Sequence, residues 1–248
     1  PIRIGARVEH PQKLIDMGRY GSERGDLPPA SYRLVSHPPN QQARSAHTFC
    51  MCPGGTVVGA TAQQNRIVVN GMSYSGRRAF WANSAIIVQV NPEDYESEDP
   101  LAGVRFQDRI ERKAFELTGE GFAAPAQKVV DFLNKRKSTE LPRSSYPQGI
   151  VSVDMWELFP FAIAEGLEQA ILEFDRKIKG FAGAEAVLIA PETRTSAPIR
   201  FLRDEKMFST TLSGMMPIGE GAGYAGGIAS AALEGFQAVE SVLMDQNS

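Results

Sequence analysis

Met216-Pro217-Ile218-Gly219-Glu220-Gly221-Ala222-Gly223-Tyr224-Ala225-Gly226-Gly227-Ile228 contains a literal G-x-G-x-x-G at Gly221, Gly223 and Gly226. That spacing is a nucleotide-binding fingerprint when a strand precedes it and a βαβ unit follows. A full unit needs a second strand after the helix, with an acidic residue about 20 positions on to hold a ribose. Only 22 residues follow Gly226, and they read as one helix and a tail. As a complete dinucleotide fold, the fingerprint is a decoy. Its local chemistry survives. Leu212 to Ile218 reads as an apolar strand, the glycines let backbone approach a ligand, and a helix then begins with unpaired N–H groups. Those groups and the helix dipole favour negative charge: a phosphate, a carboxylate, or the edge of a reduced flavin. The bland alternative is a helix whose glycines serve only close packing against a sheet. Ile228, Ala232, Phe236, Val239 and Leu243 share one face of that helix.

Upstream of the turn, Ala186-Val187-Leu188-Ile189-Ala190 predicts a short buried strand, followed by a polar turn from Pro191 to Pro198 and by Ile199-Arg200-Phe201. The first half predicts mixed α and β structure. Ile2-Arg3-Ile4-Gly5-Ala6-Arg7-Val8 alternates as a strand already under way at Pro1, which points to a truncated or processed chain. Pro11 suits the first turn of a helix through Met17. Short strands follow at Tyr32 to Ser36, Thr48 to Cys52, Thr56 to Thr61, Arg66 to Asn70 and Ala85 to Val90. The turn signals between them, Pro53-Gly54-Gly55 and Asn70-Gly71, predict an antiparallel sheet with hairpins. Asp99-Pro100 caps an exposed helix from Leu101 to Leu117. Pro125 is expected to open a second helix through Leu133, and Pro160 a third. Lys137 to Gln148 reads as a surface loop.

The composition restricts the function classes. With 248 residues, 42% hydrophobic and 22% charged, the chain can bury a sizeable core as one large domain or two small ones. Its net charge of −3 and scattered Lys and Arg give no case for nucleic acid. No apolar stretch approaches the ~20 residues that cross a bilayer. Two cysteines are too few for a disulfide framework and fit a reducing cytosol, so a cytoplasmic location is expected. Oligomeric state is not legible.

Beyond the residues themselves, Ile218 to Gly227 resembles the carboxy-terminal flavin motif of two-dinucleotide-fold flavoproteins. It is most similar to one group of bacterial FAD-dependent dehydrogenases of unassigned substrate. His37-Pro38-Pro39-Asn40-Gln41-Gln42, Thr48-Phe49-Cys50-Met51-Cys52-Pro53-Gly54-Gly55, Asn70-Gly71-Met72-Ser73, Asn83-Ser84-Ala85 and Pro191-Glu192-Thr193-Arg194-Thr195-Ser196-Ala197-Pro198-Ile199-Arg200 carry the same resemblance, over nearly the whole chain. The resemblance implies FAD as cofactor. It implies that Gly219 and Glu220 meet the flavin side of it, with Glu220 accepting a hydrogen bond from a ribityl or ribose hydroxyl. It implies that the amides of Gly221, Ala222, Gly223 and Tyr224 lie near the pyrophosphate-to-flavin stretch. Thr193 and Arg194 would lie beside the cofactor, Arg194 as an anion or flavin-edge contact or else in a surface ion pair. The chain departs from the group in lacking the separate amino-terminal G-x-G-x-x-G that holds the ADP moiety, so alone it is expected to bind FAD weakly or not at all.

The expected architecture is therefore α/β of the mixed α+β kind. An antiparallel or mixed-sheet substrate or cap domain spans residues 1–185. The carboxy-terminal strand–helix part of an FAD-binding domain spans 186–248. The expected function is the carboxy-terminal part of a flavin-dependent oxidoreductase, with a small-molecule substrate and a possible nicotinamide donor. The competing class is a ligand- or nucleotide-binding module without turnover. Cys50 and Cys52 read as packing or pocket lining rather than a redox pair, because a C-x-C bridge within a strand is strained. His37, His47, Cys50 and Cys52 match no common zinc spacing, so no metal is assigned. His10, His37 and His47 are the only possible histidine bases, and no G-x-S-x-G elbow accompanies them. Arg77 and Arg78 read as a solvated loop rather than a substrate contact. No catalytic acid or base can be named from the sequence.

Overall fold

The computed structural model describes residues 2–37, 44–95 and 97–245. Pro1 and the Pro38 to Gln42 part of the His-Pro-Pro stretch lie outside the described residues. Contacts divide the chain into two compact units. The larger comprises Arg3–Val90 and Asp108–Thr193; the smaller comprises Ile2, Asn91–Gln107 and the chain from Arg194 onward. The division does not follow a single cut near residue 185.

The elements of the larger unit run β1 (Ile2–Pro11), α1 (Gln12–Tyr20), β2 (Val35–Ser36), β3 (Ala46–Cys52), β4 (Thr56–Gly59), β5 (Val69–Met72) and β6 (Trp81–Val90). After α2 (Ala102–Leu117) come β7 (Ala124–Lys128), α3 (Val129–Leu133), β8 (Ile150–Ser152), α4 (Met155–Leu158), α5 (Phe161–Lys177) and β9 (Val187–Glu192). Seven strands form one sheet in the order β2-β3-β6-β1-β9-β7-β8, and β4 pairs with β5 in a separate ribbon. The pairings with a described register are antiparallel except β7 with β8. The fold class is the mixed α/β one that the sequence predicts.

β1 sits mid-sheet and is buried almost end to end, its charged Arg7 and Glu9 included. Successive side chains of a strand face opposite ways. Ile4, Ala6, Val8 and His10 share one face, and Gly5, Arg7 and Glu9 share the other. α5 packs on β6, β3 and β2, burying Ile163, Leu167, Ala170, Ile171 and Phe174 at helical spacing. Arg176 and Lys177 in its last turn complement the dipole. Gly166 lets it close on the sheet, since a Cβ there would lie 2.6 Å from a Val88 methyl.

Several expectations are corrected. Pro125 does not open a helix. It sits at the start of β7, opposite Val151 of β8 and one residue before the ladder to β9 begins at Ala126, where its missing N–H costs least. Asn70-Gly71 is not a hairpin turn but part of β5. A Cβ on Gly71 would lie 2.2 Å from both Arg7 Nη1 and Asn83 Oδ1, so glycine is needed there for side-chain room. Leu212 to Ile218 forms no strand. Apart from the bridge between Arg203 and Ser209, the stretch from Arg194 to Gly227 is built of turns, and Leu212 is exposed.

The smaller unit ends in α6 (Ile228–Asp245). Ala238 faces inward, whereas Ile228, Phe236 and Val239 are 91%, 72% and 59% exposed. The apolar stripe read from the sequence therefore faces out. Among the described residues no helix is long and apolar enough to cross a membrane.

Candidate functional site at the glycine turn

Two glycines at positive φ, Gly219 (79°) and Gly223 (84°), fold the turn ahead of α6. Its hydrogen bonds divide the four expected ligand amides in two. Gly223 N–H donates to Glu220 O at 3.0 Å and Tyr224 N–H to Gly219 O at 3.2 Å, so these two close the turn itself. The amides of Gly221 and Ala222 find no acceptor among the described residues. Ala231 N–H donates to Gly227 O at 3.0 Å, which makes Gly227 the N-cap and leaves the amides of the first helical residues without intrahelical partners. A Cβ at Gly221, Gly226 or Gly227 would meet nothing within 4 Å. The mouth of the helix is open.

Glu220 stands at this mouth, half-buried. Burial pushes its carboxyl above the usual carboxylate range, and no described residue donates a hydrogen bond to it. Half-buried, it loses part of its hydration, which a donor from a ligand would restore. The turn is held to α6 by a clamp that the sequence did not disclose. Glu234 accepts from Gly219 N–H at 2.6 Å and from Arg203 Nη2 at 2.8 Å, while Arg203 Nη1 donates to Pro217 O at 2.9 Å. The Arg203 guanidinium lies 3.5 Å from the centre of the Tyr224 ring and that of Arg200 4.9 Å. Tyr224 in turn donates its hydroxyl to Phe201 O at 2.7 Å. Both cations are thus committed to a cation–π stack that fixes the turn. Gly223 permits the closeness, because a Cβ there would lie 2.3 Å from Ile199 O.

Beside the turn, within the same unit, lies a cavity of about 300 Å³ bounded by Tyr95, Ser196, Pro198, Arg200, Gly223 and Ala225. Ser196 Oγ is buried without a hydrogen-bond partner among the described residues. Glu220, the free amides and the Ser196 hydroxyl are polar groups of the kind a polyhydroxylated, phosphorylated cofactor satisfies, and the residues present fit such a group.

Thr193 and Arg194 are placed otherwise. Thr193 belongs to the larger unit, fully buried, and its hydroxyl donates to Glu111 at 2.6 Å. The proton of that hydroxyl is committed to α2. Arg194 is exposed. Glu192, one residue earlier, meets Arg7 in a buried fork of 2.6 and 3.1 Å. Arg7 also donates to Asn83 Oδ1 at 2.8 Å, Cys50 O at 2.9 Å and Asn70 Oδ1 at 3.0 Å. Burial pushes the Glu192 carboxyl up against the pull of Arg7. For Arg7 burial works downward, but pairing with Glu192 outweighs it.

The register of β3 against β6 shifts between Phe49 and Cys52, and Cys50 takes φ 43°. This bulge separates the two thiols that a regular strand would point the same way: Cys50 is exposed and Cys52 buried. Burial also raises the Cys52 thiol, with Arg7 pulling the other way. Iodoacetamide at pH 8 is expected to label Cys50 while leaving Cys52 untouched until the protein unfolds. Peptide mass mapping reads this directly, and equal labelling of both thiols in the native protein would contradict the burial described.

Residues 1–195 match the family model described as FAD-dependent protein, C-terminal domain-like. The glycine turn lies beyond that matched stretch. An uncharacterized protein of Clostridium beijerinckii is 44% identical over 244 residues, which cover 97% of this chain. The chain spans 46% of that protein's length.

Proposed function

The chain belongs to the FAD-dependent protein, C-terminal domain-like family, and from that premise we propose that it is the flavin-facing, carboxy-terminal part of an FAD-dependent oxidoreductase, a dehydrogenase acting on a small molecule. The observation that carries this reading is the open turn at Gly219 to Gly227, with Glu220 half-buried and lacking a donor. Glu220 would accept from a ribityl or ribose hydroxyl. The amides of Gly221 and Ala222 and the head of α6 would donate to a phosphate or to the pyrimidine edge, where a fixed positive dipole end stabilises negative charge. Arg194 would meet an anionic or flavin edge of the cofactor. When bound, the flavin supplies the hydride or electron transfer, with a nicotinamide donor as the reductant to test first. The outward apolar stripe of α6 is a surface for the remainder of such a flavoprotein to cover.

The protein in its full length is expected to purify with flavin absorbance in the visible, and a nicotinamide donor is expected to bleach it. A full-length protein that neither carries nor takes up FAD sinks the proposal. Bound flavin that no reductant bleaches favours the non-catalytic module. Gly223→Ala in that protein is expected to weaken flavin binding at least about tenfold, since the residue needs φ 84° and the new methyl meets Ile199 O. The 248-residue chain alone is expected to bind FAD weakly or not at all. A tight stoichiometric complex of it overturns that part of the reading.

A further inference from the structure

The larger unit holds a second cavity, of about 770 Å³, that the flavin reading does not use. Its wall combines carboxamides (Gln64, Asn65 and Gln148) with aromatic rings (Phe115, Phe122 and Tyr146). Arg66 and Glu120 are the charged side chains lining it among the described residues. Arg66 is committed elsewhere. Its Nε and Nη2 grip Asp108 at 2.6 and 3.0 Å, and its Nη1 donates to the carbonyls of Asn65 at 2.8 Å and Gln64 at 3.3 Å. Its charge is cancelled and its donors fasten the loop that presents the carboxamides. Glu120 is exposed. Among the described residues no uncommitted cation lines the space, so the cavity offers a phosphate or carboxylate no opposite charge.

The rim is fixed as well. α2 ends in a Schellman cap: Glu120 N–H donates to Phe115 O, Gly119 N–H donates to Glu116 O, and Gly119 takes φ 80°. Two residues on, the Tyr146 hydroxyl donates to Phe122 O at 3.1 Å. This pins the backbone while the Phe122 ring stands 77% exposed at the mouth. A large aromatic ring held in water forgoes the gain of burial, and here it offers a flat face beside a set of paired amide donors and acceptors.

We propose that this cavity binds an uncharged ring compound carrying adjacent hydrogen-bonding groups, of the nucleoside or saccharide kind, stacked on Phe122 and bonded through the carboxamides. Each carboxamide presents a donor and an acceptor side by side, which matches vicinal hydroxyls or the edge of a base. Aromatic faces stack on either kind of ring. The site is independent of the flavin reading.

Ligand-observed NMR titration of the protein with adenosine, maltose and AMP tests the proposal. Saturable binding of adenosine or of maltose is expected, and which one binds decides between base and sugar. Phe122→Ala and Gln148→Ala, both at exposed positions, are expected to weaken that binding at least tenfold without loss of fold by circular dichroism. AMP is expected to bind no tighter than adenosine. Absence of saturable binding by both uncharged probes, indifference to Phe122→Ala, or a tenfold preference for AMP over adenosine each overturns it.

Discussion

Arg7→Ala is expected to cost the larger unit about 3–5 kcal/mol, the range for leaving one member of a buried ion pair alone. Arg7 is fully buried and answers five oxygen acceptors: both oxygens of Glu192, the side-chain oxygens of Asn83 and Asn70, and Cys50 O. Removing it strands the Glu192 carboxylate in a site whose burial already pushes its pKa up, and takes from Asn83 Oδ1 its donor, while Asn70 Oδ1 keeps the Gly71 N–H. Trp81 and Trp156 both lie in the larger unit, so tryptophan fluorescence in urea follows its unfolding. At a slope of roughly 2–3 kcal/mol/M the midpoint should fall by more than about 1 M. The double variant Arg7→Met, Glu192→Leu is expected to recover much of the loss, because apolar pairs often replace buried ion pairs without penalty. A single-variant loss below about 1 kcal/mol would mean that the fork contributes no more than a surface contact.

This cluster was illegible in the sequence for a definite reason. Arg7 and Glu9 lie in a strand whose alternation is obvious, and periodicity marks them only as facing the other side. Which side is solvent depends on whether something covers that face, here the β4–β5 ribbon contributed by residues 56–72. The Asn70-Gly71 pair compounded the difficulty. Its local chemistry favours a turn, yet the space beside Arg7 demands a glycine inside a strand. Pro125 misled similarly, because a helix start and a strand start both tolerate a missing N–H.

The glycine turn was legible in outline. Its glycines and the helix after it are local signals, and the structure leaves that helix mouth open. The clamp that shapes it was not. Arg203 and Glu234 are 31 residues apart, and nothing in their local sequence separates them from surface charges. Nor was it legible that two of the four amides close the turn itself, Gly223 N–H on Glu220 O and Tyr224 N–H on Gly219 O. Thr193 shows the complementary limit. Its motif suggested a ligand contact, while its hydroxyl is fixed by Glu111 on a helix that only the tertiary fold brings near.

His10 is expected to make the protein acid-labile over a defined window. The ring is completely buried, and burial lowers its pKa from 6.5 to about 4 despite the hydrogen bond to Phe181 O and the field of Asp175. Nε2 lies 2.7 Å from Phe181 O and must donate to it, which makes Nδ1 a bare acceptor without a partner among the described residues. A second proton would sit there unpaired. The unfolded chain protonates His10 near its ordinary value while the native state refuses the proton until about 4. Stability from this group is therefore full above pH 6.5 and lost as pH falls toward 4. At about 1.4 kcal/mol per unit the loss is about 3 kcal/mol. Glu9 and Glu192, both raised by burial, oppose it, because the native state binds their protons before the unfolded chain does. The raw profile is thus a sum, and the comparison with His10→Gln isolates the histidine. Glutamine keeps an N–H for Phe181 O but does not titrate, and its loss of ring packing against Phe181, at 4.6 Å between centroids, is a constant offset. Urea midpoints taken from pH 7 to pH 4 should show the wild-type protein losing about 3 kcal/mol relative to the variant. Parallel profiles would mean that the buried ring takes up its proton as readily in the native state as in the unfolded one.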